Sequence, residues 1–227
     1  MTARSLLAAL LPASCLLCGL DAGADALCPG CIADLPALPA ERCPVCALPS
    51  PAAQPCGDCL AHPKHYDATH AAWRYGDPLD QLIQQLKYAR RLAAVDFLAR
   101  SLPAQPSSPP PDLIVPVPLA PRRLAERGFN QAVELARPLA RATGARLLLT
   151  GIRRERDTPP QAALPWQARA RNIRHAFACD LDLTGKTVWL VDDVMTTGAT
   201  LNELAAVIKR HGAARVECRV VARALRQ

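Results

Sequence analysis

The sequence predicts an α/β fold, a mainly parallel sheet flanked by helices, preceded by a small cysteine-rich module. Three observations lead there. Four C-x-x-C pairs crowd the first 59 residues. Beyond them, short apolar strands alternate with stretches of helical periodicity, the pattern of a parallel sheet. Near the end, a fully apolar strand runs into Asp192-Asp193 and a threonine-rich turn that opens a helix.

The chain of 227 residues and 24.4 kDa suits one ordinary domain with a small satellite, at roughly 150 residues per domain. The division expected is an N-terminal helix and cysteine module over 1–64 and an α/β domain over 65–227. Half the residues are apolar but only 4% are aromatic, so the core is built from small side chains. No run approaches the roughly 18 apolar residues of a spanning helix, which argues against membrane insertion. With 21% of residues charged and an ordinary apolar fraction, a largely disordered chain is excluded as well.

At the N-terminus, Arg4 precedes an apolar run from Leu6 to Leu11. That run is short for a signal peptide, and no aliphatic residue stands three before Cys15, as a lipoprotein site requires. Residues 1–11 read as a short amphipathic helix ended by Pro12, and the cytoplasm is the expected compartment.

Eight of the ten cysteines form the pairs Cys15/Cys18, Cys28/Cys31, Cys43/Cys46 and Cys56/Cys59. Each half reads C-x2-C-x9-C-x2-C, and adding 28 to every position of the first half gives the second. This is an internal repeat of one supersecondary unit. C-x-x-C lets two thiolates on a tight turn reach one ion at about 2.3 Å, and two such knuckles close a tetrahedral site with no open position. Four pairs in a chain without a secretion signal point to two structural Zn²⁺ sites rather than disulfides or a redox dithiol. The x9 spacer favours pairing within each half, with an interleaved arrangement as the alternative. His62, His65 and His70 follow closely and read as surface residues. A double zinc ribbon of this kind serves either as a docking or nucleic-acid module or as an inert strut.

The formal charge is +7, with 23 Arg among the 27 cations. Residues 112–175 hold 12 Arg against 5 acids, so one segment carries the excess. Guanidinium forks match phosphate oxygens in a bidentate way; a solvated, arginine-biased face is the plainer account. Each four-thiolate zinc centre is a dianion, so two of them bring +7 down to +3. The basic segment therefore shares the chain with an anionic module.

After the ribbons, alternation over 66–77 predicts a strand. Pro78 then opens a helix carrying Leu79, Leu82, Ile83 and Leu86, with further apolar positions over 92–98. Residues 103–111 are too proline-rich for regular structure. A buried strand over 113–115 is cut by Pro116 and Pro118. Residues 131–143 are helical with Gly144 as the stop, and 146–149 form a strand. Residues 151–175, polar and arginine-rich, predict a mobile loop leading to a short helix. A buried strand over 187–191, a helix over 201–210 and a strand over 216–222 complete the fold. Cys179 and Cys218 lie in apolar strands and read as core thiols.

Ligands of parallel α/β sheets bind at the carboxyl ends of strands, which directs attention to the residues after Val191. There Asp192-Asp193-Val194-Met195-Thr196-Thr197-Gly198-Ala199-Thr200 precedes a helix. Hydroxyls and free backbone N–H groups at a helix start make a phosphate site. Adjacent carboxylates suit ribose hydroxyls and a nearby Mg²⁺, which prefers carboxylate and ligand oxygens. Together they describe a phosphoribosyl ligand; helix capping alone does not account for the whole pattern.

This segment resembles the PRPP-binding motif of type I phosphoribosyltransferases. Pro116-Val117-Pro118-Leu119 with Arg122, Arg123 and Arg127-Gly128-Phe129-Asn130-Gln131, and then Gln161 to Leu164, Arg169, Asn172 and Phe177, are similar to the ComF family of competence-associated phosphoribosyltransferase-like proteins. So is the duplicated cysteine module followed by Leu82-Ile83-Gln84-Gln85-Leu86-Lys87-Tyr88. The resemblance implies a type I phosphoribosyltransferase-like domain behind the double zinc ribbon. It implies that Asp192 and Asp193 hold the ribose diol, and that Thr196, Thr197, Gly198, Ala199 and Thr200 hold the 5′-phosphate. The loop of Pro116, Val117 and Pro118 is either the pyrophosphate loop or a plain strand terminator. Arg122, Arg123 and Arg127 are candidates for the diphosphate or an ordinary solvated face, and 153–172, with Gln161, Arg169 and Asn172, is the hood that closes over PRPP.

Two functions follow. One is transfer of phosphoribosyl with Mg²⁺-assisted loss of pyrophosphate, which needs no covalent catalyst. The other is a non-catalytic factor in competence and DNA uptake that binds single-stranded DNA or a helicase partner and uses the PRPP site as a sensor. The single basic segment suits the second; the scarcity of aromatic stacking platforms speaks against it.

Overall fold

The computed structural model describes residues 13–23, 25–88, 92–102, 110–155, 173 and 175–225. The helix expected over 1–11 and nearly all of the proline-rich segment lie outside these residues. Among the described residues no helix is long and apolar enough to cross a membrane.

The repeat in the sequence is a repeat in structure. In the first copy, Cys15 N–H donates to the Leu20 carbonyl at 2.7 Å and Gly19 N–H to the Cys15 carbonyl at 2.9 Å. In the second, Cys43 N–H donates to Leu48 at 2.8 Å and Ala47 N–H to Cys43 at 2.9 Å. Each copy then ends in one helical turn, α1 (Pro29–Ala33) and α2 (Gly57–Ala61). The turn demands a left-handed residue: Gly19 adopts φ 77° in the first copy, whereas Ala47 takes φ 58° in the second, a conformation that costs an L-residue about 1–2 kcal/mol.

The sheet begins at β1 (Ala68–Arg74) and continues through β2 (Leu113–Pro116), β3 (Arg146–Leu147), β6 (Thr187–Met195) and β7 (Arg215–Arg223). Its order is β1-β7-β6-β2-β3, and every pairing is parallel. Helices α3 (Leu79–Tyr88), α4 (Leu92–Ser101), α5 (Pro121–Arg127), α6 (Gln131–Thr143) and α7 (Ala199–Arg210) make the connections. The α6 boundaries are those read from the sequence: Asn130 Oδ1 accepts from Ala132 N–H and Gly144 ends the helix at φ 74°.

Alternation along the strands feeds two cores. Val188, Leu190, Val216, Cys218 and Val220 pack against α7 through Leu204, Ala205 and Ile208. Ile114, Trp189, Val191 and Val221 pack with Leu79, Leu82 and Leu86 of α3, Leu98 of α4, and Leu135 and Leu139 of α6. The first ribbon joins this second core through Cys15, Leu27 and Leu35, and Gln85 donates to the Leu16 carbonyl at 3.1 Å. The other copy has its own small cluster of Cys43, Cys46, Leu48 and Cys59, closed by Leu225.

Two expectations are corrected. Residues 152–154 are not part of a loop: β4 (Ile152–Arg154) pairs antiparallel with β5 (Phe177–Cys179). Arg153 is tied to Asp180 and Glu155, so the arginines that looked like loop residues sit on a two-stranded ribbon. The strand expected to end at Val191 runs on to Met195, because Val194 and Met195 still pair with Ala222 and Arg223 of β7.

Sequence periodicity also hid a buried charge cluster in β7. Glu217 and Arg219 are both fully buried. Glu217 accepts from Arg215 Nε at 2.5 Å and from Arg219 Nη2 at 2.9 Å, while the Arg219 guanidinium stacks 3.8 Å from the centre of the Trp189 ring. Breaking a buried pair by removing one charge costs about 3 kcal/mol or more. Glu217→Gln should lower the urea unfolding midpoint accordingly, with an unchanged slope.

Candidate functional site

In the sheet order, β2 connects outward to β3 while β6 connects outward to β7. The chain therefore switches direction between β2 and β6, and the crevice beyond their carboxyl ends is where an open α/β sheet receives its ligand. Both sequence-predicted phosphate segments meet there. Pro116 pairs with Val191, and Val117 N–H donates to the Val191 carbonyl at 2.9 Å.

On the β6 side, Asp192, Met195, Thr196, Thr197, Gly198 and Thr200 line a small cradle. Gly198 caps α7 in the left-handed region at φ 79°, and Thr197 Oγ1 accepts from Ala199 N–H at 3.2 Å. The amides of the first turn have no intrahelical acceptor, and the positive end of the helix dipole lies with them. A side chain at Gly198 is disfavoured twice over, by φ and by crowding from neighbours. A Cβ there would sit 3.0 Å from the Tyr66 hydroxyl and 3.2 Å from the Met195 methyl.

The two acids diverge because the strand continues through them and alternates its faces. Asp192 lines the cradle, and its Oδ1 accepts from Asp193 N–H at 2.9 Å. Asp193 is only 5% exposed, and its Oδ1 accepts from Val194 N–H at 2.8 Å.

On the β2 side, Pro116 is at once the last residue of the strand and the first of the loop. Asn130 steadies that loop by donating to the Val117 carbonyl at 3.0 Å while capping α6. The sequence reading did not single out this role; the signal was an Asn directly before a helical period. Of the nearby arginines, Arg122 is exposed and paired with Glu126 at 3.0 Å along one face of α5. Arg127 donates to Gln131 Oε1 at 3.1 Å, and Arg123 is half-buried. Gln161, Arg169 and Asn172 lie outside the described residues; β4 and β5 flank the segment that contains them.

The cysteines assemble into two groups, Cys15, Cys18, Cys28 and Cys31, and Cys43, Cys46, Cys56 and Cys59, with the sulfurs of each within 4.8 Å of one another. Pairing is within each half, not interleaved. The separation between the knuckles is the same in both, 3.6 Å from Cys18 to Cys28 and from Cys46 to Cys56. A tetrahedron with bonds of 2.3 Å has edges of about 3.8 Å, so both groups fit zinc. The amides favour one thiolate in each group. Burial pushes the Cys15 thiol up, but N–H donors from Cys18, Cys28 and Leu17 outweigh it and bring it down to about 6. The same balance brings Cys43 down to about 7. His62 and His65 are exposed, and His70 lies on β1, 3.6 Å from Glu217; none joins a sulfur group.

Three more residues at the cradle escaped the sequence reading. Tyr66, buried behind Gly198, is one. Asn202 Oδ1 accepts from His65 N–H at 2.8 Å, tying the end of the ribbons to α7. Arg223, 1% exposed, bonds to the cradle backbone. An arginine inside an apolar strand was the available signal.

Two family models match parts of the chain. Residues 6–60 match the family model for a double zinc ribbon domain, and residues 124–227 that for a phosphoribosyl transferase domain. The chain is 40% identical over 191 residues to the DNA utilization protein YhgH of Salmonella typhi, covering 81% of this chain and 84% of that one. It is 34% identical over 182 residues to Competence protein F of Haemophilus influenzae, covering 76% and 80%. With Competence protein ComFC of Bacillus subtilis it shares 24% over 204 residues, covering 84% and 80%.

Metal analysis of the purified chain should find two zinc ions, falling to one in Cys59→Ser, because a structural site does not survive loss of a ligand. Gly198→Ala should cost about 1–2 kcal/mol, read as a lower melting temperature.

Proposed function

The chain belongs to the ComF family of competence proteins, and from that premise we propose that it binds PRPP in the crevice beyond β2 and β6, with the 5′-phosphate in the cradle at the end of β6. The observation that carries this reading is the join of β6 to α7: a strand end bearing Asp192, a turn of Thr196 and Thr197, and a helix start at Gly198 whose first-turn amides have no intrahelical acceptor. The 5′-phosphate is taken by the first-turn N–H groups and by the hydroxyls of Thr196, Thr197 and Thr200. Asp192 accepts from the ribose hydroxyls, and Asp193, buried behind it, holds the strand end that carries Asp192. The diphosphate lies toward the loop at 116–119, whose backbone Asn130 fixes.

Such an arrangement supports displacement at ribose C1. A bond forms from an acceptor nitrogen to C1 as the bond from C1 to the pyrophosphate oxygen breaks, and the electron pair leaves with pyrophosphate. Bound Mg²⁺ supplies charge neutralisation for that leaving group, with Asp192 the carboxylate that would hold it. The residues contribute by positioning and by fixed dipoles, with no nucleophile of the chain required.

A second reading is a DNA-handling factor in which the same site senses PRPP. The names of the relatives, DNA utilization protein and Competence protein, favour it. The basic segment supports it less than its charge suggests, since Arg122 is paired with Glu126, and Arg153 with Glu155 and Asp180.

Calorimetric titration of PRPP with Mg²⁺ into the zinc-loaded chain should give saturable binding, weakened at least tenfold in Asp192→Asn, as loss of about 1.4 kcal/mol or more implies. Absence of binding would remove the phosphoribosyl reading. Release of pyrophosphate with one nucleobase marks a transferase; binding without release, altered by single-stranded DNA, marks the sensor.

A further inference from the structure

Arg223 is the last residue of β7 and is almost fully enclosed, 1% exposed. Its Nη1 donates to the Met195 carbonyl at 3.0 Å, to the Ala224 carbonyl at 2.9 Å and to the Thr196 carbonyl. Its Nε donates to the Cys46 carbonyl at 2.7 Å. One guanidinium thus spans a knuckle of the second ribbon, the last residue of β6 and the first residue of the phosphate turn.

The consequence follows from peptide geometry. In a planar trans peptide the C=O and the following N–H point in opposite directions. The Thr196 carbonyl is held on Arg223, and that of Met195 on Arg223 and on the Ala224 N–H at 3.0 Å; this turns the N–H groups of Thr196 and Thr197 away from Arg223, and these two residues line the cradle. A cation on a carbonyl also polarises that peptide unit and makes its N–H a stronger donor.

The two ribbons differ in this respect. Cys46 is itself a member of the second sulfur group, so the atom that anchors Arg223 belongs to a residue that bound zinc would fix. The linker after the second ribbon reinforces it, with His65 bonded to Asn202 and the Tyr66 hydroxyl against Gly198. Among the described residues no hydrogen bond joins the first ribbon to Met195, Thr196, Thr197, Gly198 or Thr200. It packs against α3, α4 and the core on the other side of the sheet.

We infer that Arg223 is a positioning residue for the phosphate turn, and that the second zinc centre, not the first, sets the alignment of the Thr196 and Thr197 amides and hence the affinity for the 5′-phosphate. This rests on the phosphoribosyl reading only in its last step; the alignment of the turn is a property of the ligand-free chain.

The test uses the full zinc-loaded chain and the variants Arg223→Lys, Cys59→Ser and Cys18→Ser. Hydrogen–deuterium exchange is followed in peptides covering 194–202, with the β2 peptide, 113–117, as the reference for global opening. PRPP with Mg²⁺ is then titrated into each. Lys cannot reach the carbonyls of Cys46, Met195 and Thr196 together. Arg223→Lys and Cys59→Ser should therefore speed exchange in 194–202 but not in β2, and weaken PRPP about tenfold, the worth of one charge-assisted hydrogen bond. Cys18→Ser should speed exchange within the first ribbon and leave 194–202 as it was. Unchanged exchange at 194–202 in Arg223→Lys and Cys59→Ser overturns the inference. So does an equal effect of Cys18→Ser, or a rise in step with β2 in every variant. Should the wild-type chain not bind PRPP, the functional reading fails while the exchange data still decide the role of Arg223.

Discussion

A parallel strand that is buried on both faces and hydrogen-bonded along both edges has only its ends left for chemistry. β6 is such a strand. It lies between β2 and β7, and every residue from Thr187 to Val191 is buried. Parallel pairing also aligns the carboxyl ends of its neighbours with its own, so the loop after β2 and the turn after β6 arrive side by side. The amides of α7, the threonine hydroxyls and Asp192 owe their convergence to this one arrangement. The zinc ribbons are then arranged around the finished sheet: one on the core beneath α3, the other against the end of β7.

Much of this was legible in the sequence where a residue type is dictated by local geometry. Thiolates must stand at a fixed spacing to share an ion, so the repeat of 28 residues carried over into the knuckle turns, where the bonds of Cys15 and Gly19 recur at Cys43 and Ala47. Asn130 and Gly144 bounded α6 because one supplies a capping acceptor and the other a left-handed residue. The turn at Gly198 was visible for the same reason.

What was hidden depended on partners distant in the chain. β4 is a three-residue strand whose Arg153 is tied to Asp180 and Glu155 and whose Arg154 lies over the Phe177 ring, contacts no periodicity registers. The buried Glu217 and Arg219 read as an interruption of an apolar strand until Trp189 and Arg215 stand beside them. Asp192 and Asp193 looked like a matched pair because the strand was expected to stop before them. Its extension through Met195, fixed by pairing with β7, sends them to different environments. Arg223 stood out as an arginine at the end of an apolar run, but its role did not, because its acceptors are backbone carbonyls, which every residue has and no sequence distinguishes.

The outer edge of β1 has one more implication. Strand β1 has β7 on one side only, and on the other the N–H groups of Thr69 and Arg74 donate to the carbonyls of Pro44 and Pro36, at 3.2 and 2.9 Å. Those acceptors come from the ribbon segment. A bare sheet edge is a template for pairing with another chain, and here the cover is proline-bearing backbone, which offers carbonyls without presenting amides of its own to continue the ladder. The cysteine module is therefore also the selvedge of the sheet: cut away, it would leave the α/β unit with an open margin and a tendency to stick to copies of itself.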